Sequence, residues 1–163
     1  MTATDEFLEN SKAYAEGFDK GDLPMPPGKK VAILACMDAR LNSQGLLGLQ
    51  EDDAHVIRNA GGVVTDDEIR SLAISQRLLG TEEIILINHT DCGMLTFTDE
   101  DFKAQIKEDV GEAPEWASEA FPDLEESVRE SVRRIQASPF IPKTDAVRGF
   151  VYEVETGSLR EVS

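Results

Sequence analysis

Two stretches of the chain are apolar without interruption. Val31-Ala32-Ile33-Leu34-Ala35 and Ile84-Ile85-Leu86-Ile87 are each bounded by polar or turn-forming residues. A run of this length without polar alternation predicts a strand buried on both faces, as in a parallel sheet. His55-Val56-Ile57-Arg58 is a shorter strand candidate, broken by Asn59-Ala60-Gly61-Gly62. A short helix is expected around Leu41 to Leu47. A longer one should start at Thr65-Asp66-Asp67-Glu68, which has the Thr-x-x-Glu form of a capping box. Ile69, Leu72, Ala73, Gln76 and Leu79 are spaced to share one buried face, and Gly80 is placed to end that helix. Strand and helix alternating from residue 30 to 90 is the pattern of a parallel α/β sheet.

The flanks complete the picture. Residues 1–22 read as one helix carrying Phe7, Tyr14 and Phe18 in a rough apolar stripe, followed by the breaker Leu23-Pro24-Met25-Pro26-Pro27-Gly28. Residues 99–137 read as helical, divided by Pro114 and Pro122. Val147 to Glu155, the turn Thr156-Gly157, and Ser158 to Val162 predict a late strand or hairpin at a sheet edge. The expected fold is α/β: a central, mostly parallel sheet of order 2-1-3-4 with a late edge strand, flanked by helices. Residues 1–163 would form one domain, with a helical arm (1–22), a core (28–97) and a helical region with a C-terminal strand or hairpin (98–163).

Composition narrows the function. The 163 residues include 32 Asp and Glu against 16 Lys and Arg, a net charge of −16. Such a surface has no clustered cations with which to neutralise phosphates, so nucleic acid and anionic membranes are not expected partners. No apolar run reaches the roughly 20 residues of a membrane span. The acidic N-terminal stretch has neither a basic leader nor an apolar segment, which predicts a cytoplasmic protein. The acidic surplus is densest between 99 and 130, with 12 Asp and Glu against 3 Lys and Arg, and reads as a solvated face. Two cysteines, Cys36 and Cys92, are too few for a disulfide framework and are expected to be buried thiols, nucleophiles or metal ligands.

Their surroundings favour metal. Cys36 directly follows the first strand and Cys92 lies just past the third, in His89-Thr90-Asp91-Cys92-Gly93. Open α/β sheets gather ligands beyond the carboxyl ends of their strands, where strand order reverses. In a 2-1-3 order, Cys36, His89 and Cys92 would converge there. Two thiolates and one imidazole with an open fourth position form a catalytic zinc set, whereas iron–sulfur clusters usually draw on four cysteines. Taken alone, His89-x-x-Cys92 reads as a buried histidine with an inert thiol, Asp38-x-Arg40 as a surface ion pair, and Asp91 as a solvated loop charge.

Cys36-Met37-Asp38-Ala39-Arg40, Arg58-Asn59-Ala60-Gly61 and His89 to Gly93 together resemble the β-class carbonic anhydrases, in particular their small microbial, mycobacterial-type branch, over residues 28–97. The resemblance implies reversible hydration of carbon dioxide to bicarbonate and a proton by zinc-bound hydroxide. It implies one Zn2+ per chain on Cys36, His89 and Cys92, a catalytic Asp38–Arg40 dyad that orients the hydroxide, and Asp38 as a conditional fourth ligand. Gly61 and Gly62 would line the substrate pocket with backbone N–H groups. It further implies a homodimer, or a tetramer built from it, with the N-terminal helix lying on the partner. His55, the one histidine outside the ligand set, is a candidate proton shuttle. The chain departs from family patterns at Pro27, where the plant-like branch has Gln, and at Gly62, where many members have Asn. Ile33 replaces the Trp of an inhibitory bicarbonate site found in some members, so that regulation is not expected here, although Arg58 remains. Two other functions share the motif: hydrolysis of carbon disulfide or carbonyl sulfide at the same zinc, and a non-catalytic zinc-binding or bicarbonate-sensing module.

Overall fold

A computed structural model describes residues 1–163. Five strands form one sheet in the order β2-β1-β3-β4-β5: β1 (Val31–Cys36), β2 (Ala54–Asn59), β3 (Glu83–His89), β4 (Val147–Tyr152) and β5 (Leu159–Val162). The first four are parallel and β5 returns antiparallel to β4, as the alternation along the chain predicts. Both faces of β1 and β3 are buried. Leu34 and Leu86 point to a core shared with Leu72 and Ile135, while Ile33, Ala35 and Ile87 face a second core with Met94 and Phe121. This is the physical reason those runs lack polar alternation.

The helices are α1 (Ala3–Glu16), α2 (Ser43–Leu47), α3 (Asp66–Leu79), α4 (Asp99–Val110) and α5 (Leu124–Ala137). The capping box of α3 is present: the Thr65 backbone N–H donates to Glu68 Oε2 at 2.9 Å, and Gly80 closes the helix in the left-handed conformation at φ 75°. Its buried face runs through Glu68, Leu72, Ser75 and Gln76, with Ile69, Ala73 and Leu79 only half-buried, so the face is rotated from the predicted one. On the other flank, α4 stops at Gly111 and α5 starts from Asp123, whose side chain accepts from the Glu126 N–H; Pro114 and Pro122 lie in the break between them. Helix α5 lies so close to β4 that a Cβ on Gly149 would sit 2.3 Å from Val128 Cγ1.

The N-terminal helix is shorter than the predicted 1–22. It ends at Gly17, which has no side chain to bury and whose N–H caps the carbonyls of Tyr14 and Ala15. None of the residues of α1 is buried, and Phe7 is 64% exposed. Lys20 to Glu51, at 2.7 Å, ties the end of this arm to the body. No helix is long and apolar enough to cross a membrane.

Candidate metal centre

The register of the sheet places the ligand residues. Cys36 ends β1 opposite Asn59 of β2, and Ala35 lies opposite Ile87 of β3, which carries His89 at its own carboxyl end. Because the chain leaves β1 towards β2 and leaves β3 towards β4, the two strands diverge at the reversal of strand order that forms a crevice. Cys36, His89 and Cys92 are buried there, with their Sγ and imidazole nitrogen atoms all within 4.8 Å of one another.

Hydrogen bonds fix the orientation of His89 and bear on the ionisation of the two thiols. The Thr90 carbonyl can only accept, so His89 Nδ1 carries the proton it donates across 2.7 Å, leaving the Nε2 lone pair facing Cys36 Sγ at 3.2 Å. Hydrogen bonding from Cys92, aided by His89 and the Asp38 and Gly61 backbone N–H groups, overcomes burial and brings the pKa of the Cys36 thiol down to about 4. The bond to Cys36, together with burial, pushes the Cys92 thiol up, so the metal-free pair shares one proton. Burial opposes the charged form of His89, but its bonds to Cys36 and the Thr90 carbonyl outweigh that and raise its pKa. Two sulfurs and a correctly oriented imidazole nitrogen, converging and sheltered from water, fit zinc.

Asp38 and Arg40 stand beside this cluster. Asp38 Oδ1 accepts from Arg40 Nε at 3.0 Å and from the Arg40 backbone N–H at 2.8 Å, and Oδ2 accepts from Nη2 at 2.9 Å. The guanidinium and that backbone N–H hold the Asp38 carboxyl well below the usual carboxylate range. Oδ2 also lies 3.6 Å from His89 Nε2, which puts the carboxylate at the edge of the ligand cluster. The loop carrying Asp38 is gathered from behind by Arg58, which donates to the Cys36 carbonyl at 2.7 Å and the Asp38 carbonyl at 2.9 Å. A cavity of about 400 Å³ opens over the cluster, walled on its apolar side by Met37, Met94 and Phe97.

The two glycines differ in role. Gly61 lines the cavity, whereas Gly62 sits behind it, where a Cβ would come within 2.9 Å of the Cys36 nitrogen and 2.6 Å of Asn88 Oδ1. Gly62, at φ 61°, is therefore a packing requirement of β1 and β3 rather than a pocket wall. His55 is not brought to the centre. It pairs with Ala32, four positions before Cys36, or roughly 13 Å down the strand, and its Nδ1 meets Ser75 Oγ of α3 at 2.7 Å. At that distance it exchanges no proton directly with the cluster. Asp91, read from sequence as a solvated charge, instead accepts from Arg40 Nη1 at 2.9 Å, and its backbone carbonyl accepts from Nη2 at 3.0 Å. Its position between two ligands is the only sequence signal that could have marked it.

The chain is similar to known proteins in sequence and in fold. Residues 31–159 match the family model described as carbonic anhydrase. The chain is 62% identical to beta-carbonic anhydrase 1 of Mycobacterium tuberculosis, covering 100% of this chain and 99% of the relative. A carbon disulfide hydrolase of an Acidianus species is 36% identical, covering 96% and 87%. The crystal structure of the carbonic anhydrase from Streptococcus mutans superimposes with a TM-score of 0.93 at 45% identity, covering 100% and 99%. Agreement in sequence, fold and length extends well past the ligand motifs, and on it the chain belongs to the β-carbonic anhydrase family.

Proposed function

We propose that this protein catalyses the reversible hydration of carbon dioxide to bicarbonate and a proton, with one zinc ion per chain held by Cys36, His89 and Cys92. The observation that carries the reading is the buried Cys36–His89–Cys92 cluster with an ionised Asp38 at its edge, clamped by Arg40. Zinc, when bound, supplies a Lewis acid that brings a water towards ionisation near neutral pH. Asp38 accepts a hydrogen bond from the reacting oxygen, which fixes where its lone pair points. Arg40 keeps Asp38 deprotonated and in plane. Met37, Met94 and Phe97 give a small uncharged substrate an apolar wall, and Gly61 lets the backbone approach it closely. When Asp38 leaves Arg40, its Oδ2 is near enough to the cluster to act as a conditional fourth ligand.

Hydrolysis of carbon disulfide is an alternative reaction for the same zinc site, and the Acidianus relative carries that name. Full-length identity of 62% to a carbonic anhydrase against 36% to that relative favours carbon dioxide. A purely structural or sensing zinc site has no use for the Asp38–Arg40 clamp. We further read residues 1–163 as one domain of a cytoplasmic homodimer, in which the unburied α1 with Phe7 and Tyr14 lies on the partner.

Stopped-flow carbon dioxide hydration between pH 6.5 and 9 tests the function. Asp38→Ala should lower turnover by about 100-fold or more while leaving the zinc content unchanged. Unchanged turnover would remove Asp38 from the mechanism. A background-level trace from the zinc-loaded wild type would transfer the assignment to the sulfur substrates.

A further inference from the structure

Arg40 reaches further than its dyad partner. Its guanidinium has five N–H groups, and four are committed: Nε and one Nη2 hydrogen to Asp38, the other Nη2 hydrogen to the Asp91 carbonyl, and one Nη1 hydrogen to the Asp91 carboxylate. Asp38 and Asp91 grip adjacent edges of the same plane, which meet at Nη2. Asp38 and Arg40 lie on the loop that leaves β1, and Asp91 lies on the loop that leaves β3, between His89 and Cys92, so Arg40 ties together the loops that follow the two ligand-bearing strands.

Two observations separate this contact from ordinary surface pairing. The Asp91 side chain is 79% exposed, so the ion pair itself adds little to stability, but the same residue makes a second contact through its backbone carbonyl, 3.0 Å from Arg40 Nη2. Asp91 also sits in the left-handed region at φ 53°, a conformation unfavourable for a residue with a side chain, though Asp and Asn bear it better than most. Its carboxylate and its own carbonyl nevertheless reach the same guanidinium.

We propose that Asp91 is a positioning residue: its carboxylate and backbone carbonyl set the plane of Arg40, and Arg40 in turn aims Asp38. The proposal rests on the reading of Asp38 and Arg40 given above. Without the carboxylate, Arg40 is held by Asp38 and one carbonyl, and its free edge can rotate into solvent and carry Asp38 with it. Displacements of about 1 Å at a reacting group can cost up to about 100-fold in rate.

Two variants of the full-length, zinc-loaded protein test this. Asp91→Gly removes the carboxylate and is at ease at positive φ, whereas Asp91→Asn keeps an oxygen that can accept from Nη1. Asp91→Gly is expected to lower kcat by about tenfold, with KM for carbon dioxide within about twofold and one zinc retained per chain, and Asp91→Asn to recover kcat to within about threefold of wild type. A residue needed only for its turn conformation would leave Asp91→Gly as active as wild type, and that result would overturn the proposal. Loss of zinc from Asp91→Gly would overturn it too, by assigning Asp91 to the ligand loop itself. Independently of activity, the Arg40 Nε–H signal in 15N-resolved NMR should exchange slowly with solvent in wild type and Asp91→Asn, and rapidly in Asp91→Gly. Slow exchange in all three would overturn the proposal. A wild type that fails to hydrate carbon dioxide would instead sink the functional reading, and the NMR comparison would still decide whether Asp91 holds Arg40.

Discussion

Protons and zinc compete for the same three side chains. Near neutral pH the metal-free centre holds one proton on the thiol pair, because Cys36 is driven down and Cys92 up, and the pKa of His89 is raised. Ligation needs both thiolates and a neutral imidazole, so metal entry expels protons and acidification favours release. Apparent zinc affinity is therefore expected to fall about tenfold per pH unit from pH 8 towards 7, and more steeply once His89, whose pKa is raised, also takes a proton. Chelator competition across pH 5.5–8.5 measures the slope, and a pH-independent affinity would contradict the arrangement. At this scale the Cys36–His89–Cys92 cluster was legible because Cys36 and the His89-x-x-Cys92 pair both fall at the carboxyl ends of apolar runs that read as strands, not because of the spacing alone. Asp91 was not, since nothing near it in sequence says that Arg40, 51 positions earlier, reaches it. The remoteness of His55 was partly legible, because it opens the predicted strand His55–Arg58 whereas the cluster forms at carboxyl ends; pairing with β1 then fixes how far away it lies.

Among the elements, β1 and β3 could be read directly, since burial on both faces removes polar residues from the sequence itself. The α3 boundaries were legible for a similar reason: Thr65, Glu68 and Gly80 act within a few residues of themselves. The end of α1 was misplaced because its apolar residues have nothing in the chain to pack against, so the apolar stripe overstated the helix and Gly17 decided its end. The contact between α5 and β4 left no local signal at all. Gly149 is there because Val128 occupies the space a Cβ would need, with Val132 Cγ2 a further 3.4 Å neighbour. Gly149→Ala is expected to destabilise the fold by about 1–3 kcal/mol through overpacking. In urea unfolding, adding Val128→Ala should recover part of that loss, because it vacates the contested volume. Simple additivity of the two changes would show that the contact is not the cause.

For the whole molecule, a net charge of −16 has to be held in one small volume. Exposed pairs such as Arg148–Glu161 and Arg133–Glu130 offset little of this, since water screens them and holding two long side chains in one geometry costs entropy. Self-repulsion thus outweighs them, and salt should relieve it. The thermal unfolding midpoint is expected to rise by a few degrees between about 10 and 300 mM sodium chloride, by calorimetry with sucrose as the uncharged control. A falling midpoint would mean that the ion pairs outweigh the net charge. The same molecule separates what it keeps from what it can change. Cys36 and His89 sit on strand ends locked by the sheet, while Met37 and Phe97, which line the cavity, belong to the loops beyond. Loops accept substitution and insertion more readily than buried strands do. Such a division gives evolution a fixed reagent with an interchangeable doorway, so a lineage can take up a new small molecule without reinventing the chemistry behind it.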